Sequence, residues 1–231
     1  MAALNNRIFV IGGTGPDGTK SALNESFDPA TDTWEAWASL PTARSNLAAA
    51  ILGGKIYATG GVETSGRESN SHESYSPETD SWARLADLPT GRSDLAMGVA
   101  NGRLYAIGGE KGKFLGIFGE TIIGENEEYS PSENTWSGRK ASMPVPAKNI
   151  AVASLGNSLY ATGGVGREGM LDVTQRYDPS YDLWQEMPSL PLPRAHHGVA
   201  VIGGEIFAIG GEASEVLRAS INSTFYVHRK T

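Results

Sequence analysis

An all-β chain, built of about five four-stranded antiparallel sheets stacked side by side, is what this sequence predicts. Three observations carry that prediction. Gly-Gly pairs recur at Gly12–Gly13, Gly60–Gly61, Gly108–Gly109, Gly163–Gly164 and Gly210–Gly211, at spacings of 48, 48, 55 and 47 residues. Four times an aromatic is followed seven residues later by Trp, at Phe27/Trp34, Tyr75/Trp82, Tyr129/Trp136 and Tyr177/Trp184. Helical periodicity of useful length is absent. Self-similarity at such a period marks a repeat architecture.

Within each unit the elements follow in a fixed order. Strand a is near-continuously apolar, at 47–52, 95–100, 150–155 and 198–202, as expected of a strand buried on both faces. A tight turn such as Gly53-Gly54-Lys55 or Asn101-Gly102-Arg103 leads into strand b, which ends in the Gly pair. Strand c carries the Tyr or Phe and is stopped by Asp28-Pro29, Ser76-Pro77, Ser130-Pro131 or Asp178-Pro179. Strand d carries the Trp. One such sheet exposes apolar surface on both faces and needs a neighbour on each side, which radial stacking supplies.

Composition narrows the function. The 231 residues carry 19 Lys+Arg against 26 Asp+Glu, a net charge of −7. An acidic, soluble chain of this kind is not expected to take nucleic acid or an anionic membrane as its main partner, since both call for a basic surface. The absence of cysteine excludes a disulfide framework, thiolate metal sites and a cysteine nucleophile. No apolar run approaches the roughly 20 residues of a membrane helix, and no basic-then-apolar leader pattern opens the sequence. A cytoplasmic location is the expectation.

The units resemble kelch repeats. The resemblance rests on Arg-Ser, an apolar strand, Gly-Gly-Lys-Ile-Tyr-Ala-Thr-Gly-Gly, and then Glu-Ser-Tyr-Ser-Pro-Glu-Thr-Asp-Ser-Trp, clearest over 44–82 and 92–136. It covers essentially the whole chain and implies a β-propeller with one blade per repeat. The blades would fall at approximately 1–43, 44–91, 92–146, 147–193 and 194–231, in a single domain. By the repeat register the first unit begins midway through its strand a. The last stops after strand c, expected over 221–227, leaving that blade incomplete. Kelch propellers commonly have six or seven blades. Two outcomes are therefore open: a small closed ring of five, which this reading favours, or part of something larger. An uncovered edge on the fifth blade would permit self-association.

Segment lengths separate the two ends of the blades. From the second Gly to the strand-c aromatic the spans are 14, 14, 20, 13 and 14 residues, so variation concentrates in the b–c loops. Those loops and the d–a connections share one face, and variable loops on a rigid scaffold are where recognition usually sits. In kelch proteins the resemblance points to the same face. Candidate contacts there are Arg44, Arg92 and Arg194, each 16 residues before its Gly pair. They either read anionic groups at the channel mouth or support the blade by pairing with Glu25, Glu73 or Glu127. Ala147 takes the arginine's place in the fourth unit. Asn46, Asp94, Asn149 and His196, with Lys148 beside them, form a polar set at the start of the inner strands, either as a solvated lip or as a ligand site. His196 and His197 are adjacent on a strand and point to opposite faces, so a metal site is not expected. The six extra residues of the third b–c loop bring in Phe114, Leu115 and Phe118, which would either contact a partner or fold back.

No nucleophile elbow, phosphate loop or metalloprotease motif occurs, and no cofactor is implied. The resemblance includes copper oxidases with a Tyr–Cys crosslink, which a cysteine-free chain cannot form. The expected function is a non-catalytic module binding a protein or peptide through the b–c and d–a face. The alternative is a sugar-binding or mutarotase-like propeller, in which His196 and Asp94 would supply acid–base chemistry.

Overall fold

Each repeat closes into its own sheet in the computed structural model, which describes residues 1–112 and 121–213 and, in backbone only, Phe225–Tyr226. Blade 1 pairs Ala2–Leu4, Arg7–Ile11, Asn24–Asp28 and Thr33–Ala36 in that order, as strands a to d. Blade 2 does so with Ala48–Leu52, Lys55–Thr59, His72–Ser76 and Ser81–Arg84, and blade 3 with Ala96–Ala100, Arg103–Ile107, Asn126–Ser130 and Thr135–Lys140. Blade 4 uses Ala151–Leu155, Ser158–Thr162, Thr174–Asp178 and Leu183–Met187. Among the described residues blade 5 shows three strands, Gly198–Ile202, Glu205–Ile209 and Phe225–Tyr226. Four regular four-stranded blades are as expected; of the strand expected over 221–227, only Phe225–Tyr226 lies within the described residues.

Turn chemistry and register explain why the repeat folds this way. The two-residue a–b turns need positive φ at both positions, which Asn5-Asn6, Gly53-Gly54, Asn101-Gly102 and Gly203-Gly204 supply. Across strands the anchors align: Ile56 opposes Tyr75, which opposes Trp82, and Leu104, Tyr129 and Trp136 repeat the ladder. At the start of strand d, Asp80, Asn134 and Asp182 take left-handed conformations. Their side-chain oxygens accept the Tyr75, Tyr129 and Tyr177 hydroxyl protons at 2.8, 2.8 and 2.7 Å.

The core lies between blades. Phe9, Ile11 and Leu40 of the first repeat cluster with Ile56, Ala58 and Tyr75 of the second. Equivalent seams join blades 2 and 3, 3 and 4, and 4 and 5. Each of the first three is clasped from outside. The indole N–H of Trp82, Trp136 and Trp184 donates to the carbonyl of Ala38, Ala86 and Ala141 on the preceding blade, at 2.8, 2.9 and 2.7 Å. The N–H of the same alanine donates to Asp80, Asn134 or Asp182. Trp37, outside the repeat register, sits in the first seam and donates to Ser26 Oγ at 2.8 Å.

The favoured closed ring is not what the described residues form. Ile202 and Ile209 on the outer-going face of blade 5 are 63% and 54% exposed, and Trp34 and Ile8 on the opposite face of blade 1 are 59% and 38% exposed. No apolar cluster among the described residues joins blade 5 to blade 1. No helix among them is long and apolar enough to cross a membrane.

Candidate functional site

The d–a connections and the b–c loops meet on one face through short ladders. Arg44–Ser45 pairs with Val62–Glu63, and Arg194–Ala195 with Glu212–Ala213. Single bridges link Ser93 to Glu110 and Lys148 to Val165 in the same places. These connectors carry every described candidate contact. Phe114, Leu115 and Phe118 lie outside the described residues.

The arginines turn inward, which corrects their reading as ligand contacts. Arg44, Arg92 and Arg194 have no exposed surface. Arg44 donates to Glu73 at 2.6 Å, to the carbonyl oxygens of Gly60 and Ser71 at 2.8 and 2.9 Å, and to Thr42 O at 3.3 Å. Arg92 pairs with Glu127 at 2.5 Å and donates to Ala106 O at 2.8 Å. Burial pushes the Glu73 carboxyl up and the Arg44 guanidinium down, each opposed by the attraction of the other. A planar fork of donors suits this work, because it satisfies carbonyls and a carboxylate together. Blade 4 changes both partners: Ala147 replaces the arginine, Gln175 replaces the glutamate, and Gln175 exchanges two hydrogen bonds with the Val145 backbone, at 2.9 and 3.1 Å. The Arg–Glu reading of the sequence holds for Glu73 and Glu127.

Two residues further on lies the polar lip. Asn46, Asp94, Asn149 and His196 all have left-handed backbones, with φ of 55°, 54°, 53° and 55°. Asn, Asp and His tolerate that region better than other non-glycine residues. This is the physical reason a polar set breaks the apolar run. The backbone makes a belt from blade to blade: Asp94 N–H donates to Asn46 O at 3.0 Å, Asn149 N–H to Asp94 O at 2.9 Å, and His196 N–H to Asn149 O at 3.3 Å. Asn46 Nδ2 also donates to Asp94 Oδ1 at 2.6 Å.

The belt rims a cavity of about 800 Å³ whose wall is formed by the inner strands of blades 2 to 5. Asn46 and His196 are exposed at its edge, and Asp94 and Asn149 are half-buried. Lys148 bonds Glu110 across the same face. His197 turns the other way: it is buried, with Nε2 at 2.9 Å from Thr162 Oγ1, and burial lowers its pKa to about 4. The two histidines therefore face apart. Among the described residues no group of His, Cys, Asp and Glu is placed to hold a metal ion.

Blades of four antiparallel strands, packed face to face around a central cavity, define a β-propeller. The kelch motif matches residues 1–41, 43–89, 91–138, 146–191 and 193–229, and the chain belongs to the kelch repeat family. It is 37% identical over 75 residues to Kelch-like protein 15 of Gallus gallus, and 35% identical over 75 residues to that of Homo sapiens. Each match spans 32% of this chain but only 15% and 12% of those longer relatives. Among solved structures, YjhT superposes with a TM-score of 0.67 at 16% identity, over 93% of this chain and 90% of that one, a likeness of fold.

Proposed function

We propose that this chain is a non-catalytic binding propeller that engages a protein or peptide through the face built by its b–c loops and d–a connections. Contacts centre on Asn46, Asp94, Asn149 and His196, with Lys148 beside them. The observation that supports this reading is the lip itself. Its backbone is the same in four blades, φ of 53–55° throughout, while its side chains are amide, carboxylate, amide and imidazole. A fixed frame presenting varied polar groups around a cavity suits recognition of a polypeptide with its own mixed donors and acceptors. The protein-binding assignment itself leans on the fold class.

Glycine substitution tests it cleanly, because glycine keeps a left-handed backbone without strain. A variant carrying Asn46→Gly, Asp94→Gly, Asn149→Gly and His196→Gly is expected to retain the fold and lose about tenfold or more in capture of partner polypeptides by quantitative crosslinking. Lys55→Ala, Arg103→Ala and Glu205→Ala on the a–b turns should leave capture unchanged. Equal losses from both sets reject the assignment. A glycan array run beside it that retains the protein, with no polypeptide captured, replaces it with the sugar-binding alternative.

A further inference from the structure

Asp94 carries the one carboxylate on the polar lip, and no cation among the described residues pairs with it. Asn46 Nδ2 donates to its Oδ1 at 2.6 Å, and Ser93 Oγ lies 3.4 Å from its Oδ2. Lys148 is engaged with Glu110, and the Arg92 guanidinium is turned inward onto Glu127. A half-buried carboxylate gives up hydration, and without a counter-charge that loss is not offset. Backbone geometry does not call for the charge either: Asn46 and Asn149 hold the same left-handed conformation with neutral amides. The fold therefore leaves the negative charge at Asp94 without a structural task.

Below the lip the lining changes character. The cavity runs along strand a of blades 2 to 5, past Ala48, Ala96 and Ala151 to Met97, Val152 and Val199. From Asp94 to Met97 is three residues, about 10 Å of strand. Acceptor oxygens at the mouth thus stand above apolar side chains. The amides of Asn46 and Asn149 flank the carboxylate, one on each side along the backbone belt. Neither amide oxygen is hydrogen-bonded among the described residues. A ligand matched to this order of groups carries positive charge at the mouth and its apolar part beneath. A lysine side chain reaching in from the face has the reverse order, with its ammonium deepest. The free N-terminus of a polypeptide has the right one: an α-ammonium with three donors, on the same carbon as the first side chain.

Given the polypeptide-binding role above, on which this inference rests, we propose that the lip receives the free N-terminus of its partner. The α-ammonium pairs with the Asp94 carboxylate and donates to the Asn46 and Asn149 amide oxygens, charge-assisted hydrogen bonds that are stronger than neutral ones. An apolar first side chain descends between Ala96, Met97 and Val152, and the rest of the polypeptide leaves across the loop face. Capture of a terminal amine by fixed backbone-borne acceptors is a general mode of peptide recognition.

A peptide library separates this from polypeptide binding in general. Random hexapeptides with amidated C-termini are offered to the immobilised protein, once with free and once with acetylated α-amines, and retained peptides are sequenced by mass spectrometry. Retention is expected to require the free amine and to favour Leu, Ile, Val or Met as first residue. For a retained peptide, α-acetylation should weaken binding by about tenfold or more by fluorescence anisotropy. Asp94→Asn, which installs the residue type of Asn46 and Asn149 at the same backbone conformation, should weaken the free peptide by a similar factor. The two changes should not add, because each removes one partner of the same pair. Additive losses overturn the proposal. So does retention that depends on an internal lysine, or that is indifferent to acetylation while peptides are still bound, results that leave the polypeptide-binding role standing. A wild type that retains neither pool overturns both. Acetylation alters only the peptide, so its effect holds however Asp94→Asn folds.

Discussion

The seam between blades 3 and 4 and the open face of blade 5 are made of the same repeat, yet they differ in almost every energetic respect. At the seam, Trp184 is 8% exposed and hydrogen-bonded to Ala141 O, while Ile107 and Leu159 are fully buried. At the open face, Ile209, which holds the place of Ile107, is 54% exposed. A blade is thus only half of a structural unit. Its apolar surface counts toward stability when the next blade covers it, so stability resides in nearest-neighbour contacts rather than in the sheets.

The widest expected gap between the two environments is at tryptophan. Trp184→Ala should cost about 3–5 kcal/mol by chemical denaturation, since it empties a packed site and removes the clasp to the half-buried Ala141 carbonyl. Trp34→Ala, removing a side chain that is 59% exposed, should cost about 1 kcal/mol or less. Similar losses at both would mean that blade 1's outer face is covered in solution. A smaller and sharper contrast is at glycine. Gly60 and Gly210 share nearly the same backbone, φ of 67° and 69°. Gly210→Ala should therefore pay only left-handed strain, about 1 kcal/mol. Gly60→Ala should lose about 2 kcal/mol more, because its Cβ would fall 2.6 Å from Arg92 O. Equal costs would show that strain alone decides.

Acid should separate two seams more gently. His72, stacked on Tyr57 and set edge-on to Tyr129 and Trp136, is buried in the second seam with its pKa lowered to about 3, chiefly by burial. His197 bridges to blade 4 with its pKa lowered to about 4. Both are held neutral in the fold, so below the ordinary value near 6.5 the unfolded chain binds more protons than the native one. Stability then falls as pH falls, and the contribution of each histidine is lost between pH 6.5 and its folded value. His197→Leu, which installs the residue type of Leu47 and Leu95 at this position, should flatten the slope of denaturation midpoint against pH. An unchanged slope assigns the acid sensitivity to His72 alone.

The sequence exposed the architecture because the residues that define it are ones backbone geometry enforces. Gly pairs, turn asparagines and the aromatic–Trp spacing cannot drift without breaking a strand end or a clasp. The Arg–Glu support could be read as one of two options because its spacing is invariant, but only burial decides between contact and support. The lip was visible as a polar set, and its cause was not: a positive φ leaves no mark in a sequence beyond the residue types that tolerate it. Trp37 escaped because it occurs once and outside the register. Ring closure is not legible at all: a missing outermost strand is compatible with a closed ring of five, whereas closure depends on the angle between blades, which no single repeat encodes.

One consequence follows from what the glycine pairs touch. At every inner seam the first glycine meets a main-chain carbonyl, supplied by Arg44, Arg92, Ala147 or Arg194, and the separation is nearly constant whether the residue that carries the carbonyl is Arg or Ala. The pitch from blade to blade is therefore gauged backbone to backbone, and side chains fill the space that remains. A blade with this gauge is transplantable: residues 44–91 could be spliced in place of 92–146 and would meet both neighbours at the pitch they already use. Duplication and recombination of whole repeats would then lengthen or shorten such an array without renegotiating its geometry, leaving only the apolar filling to be refitted one seam at a time.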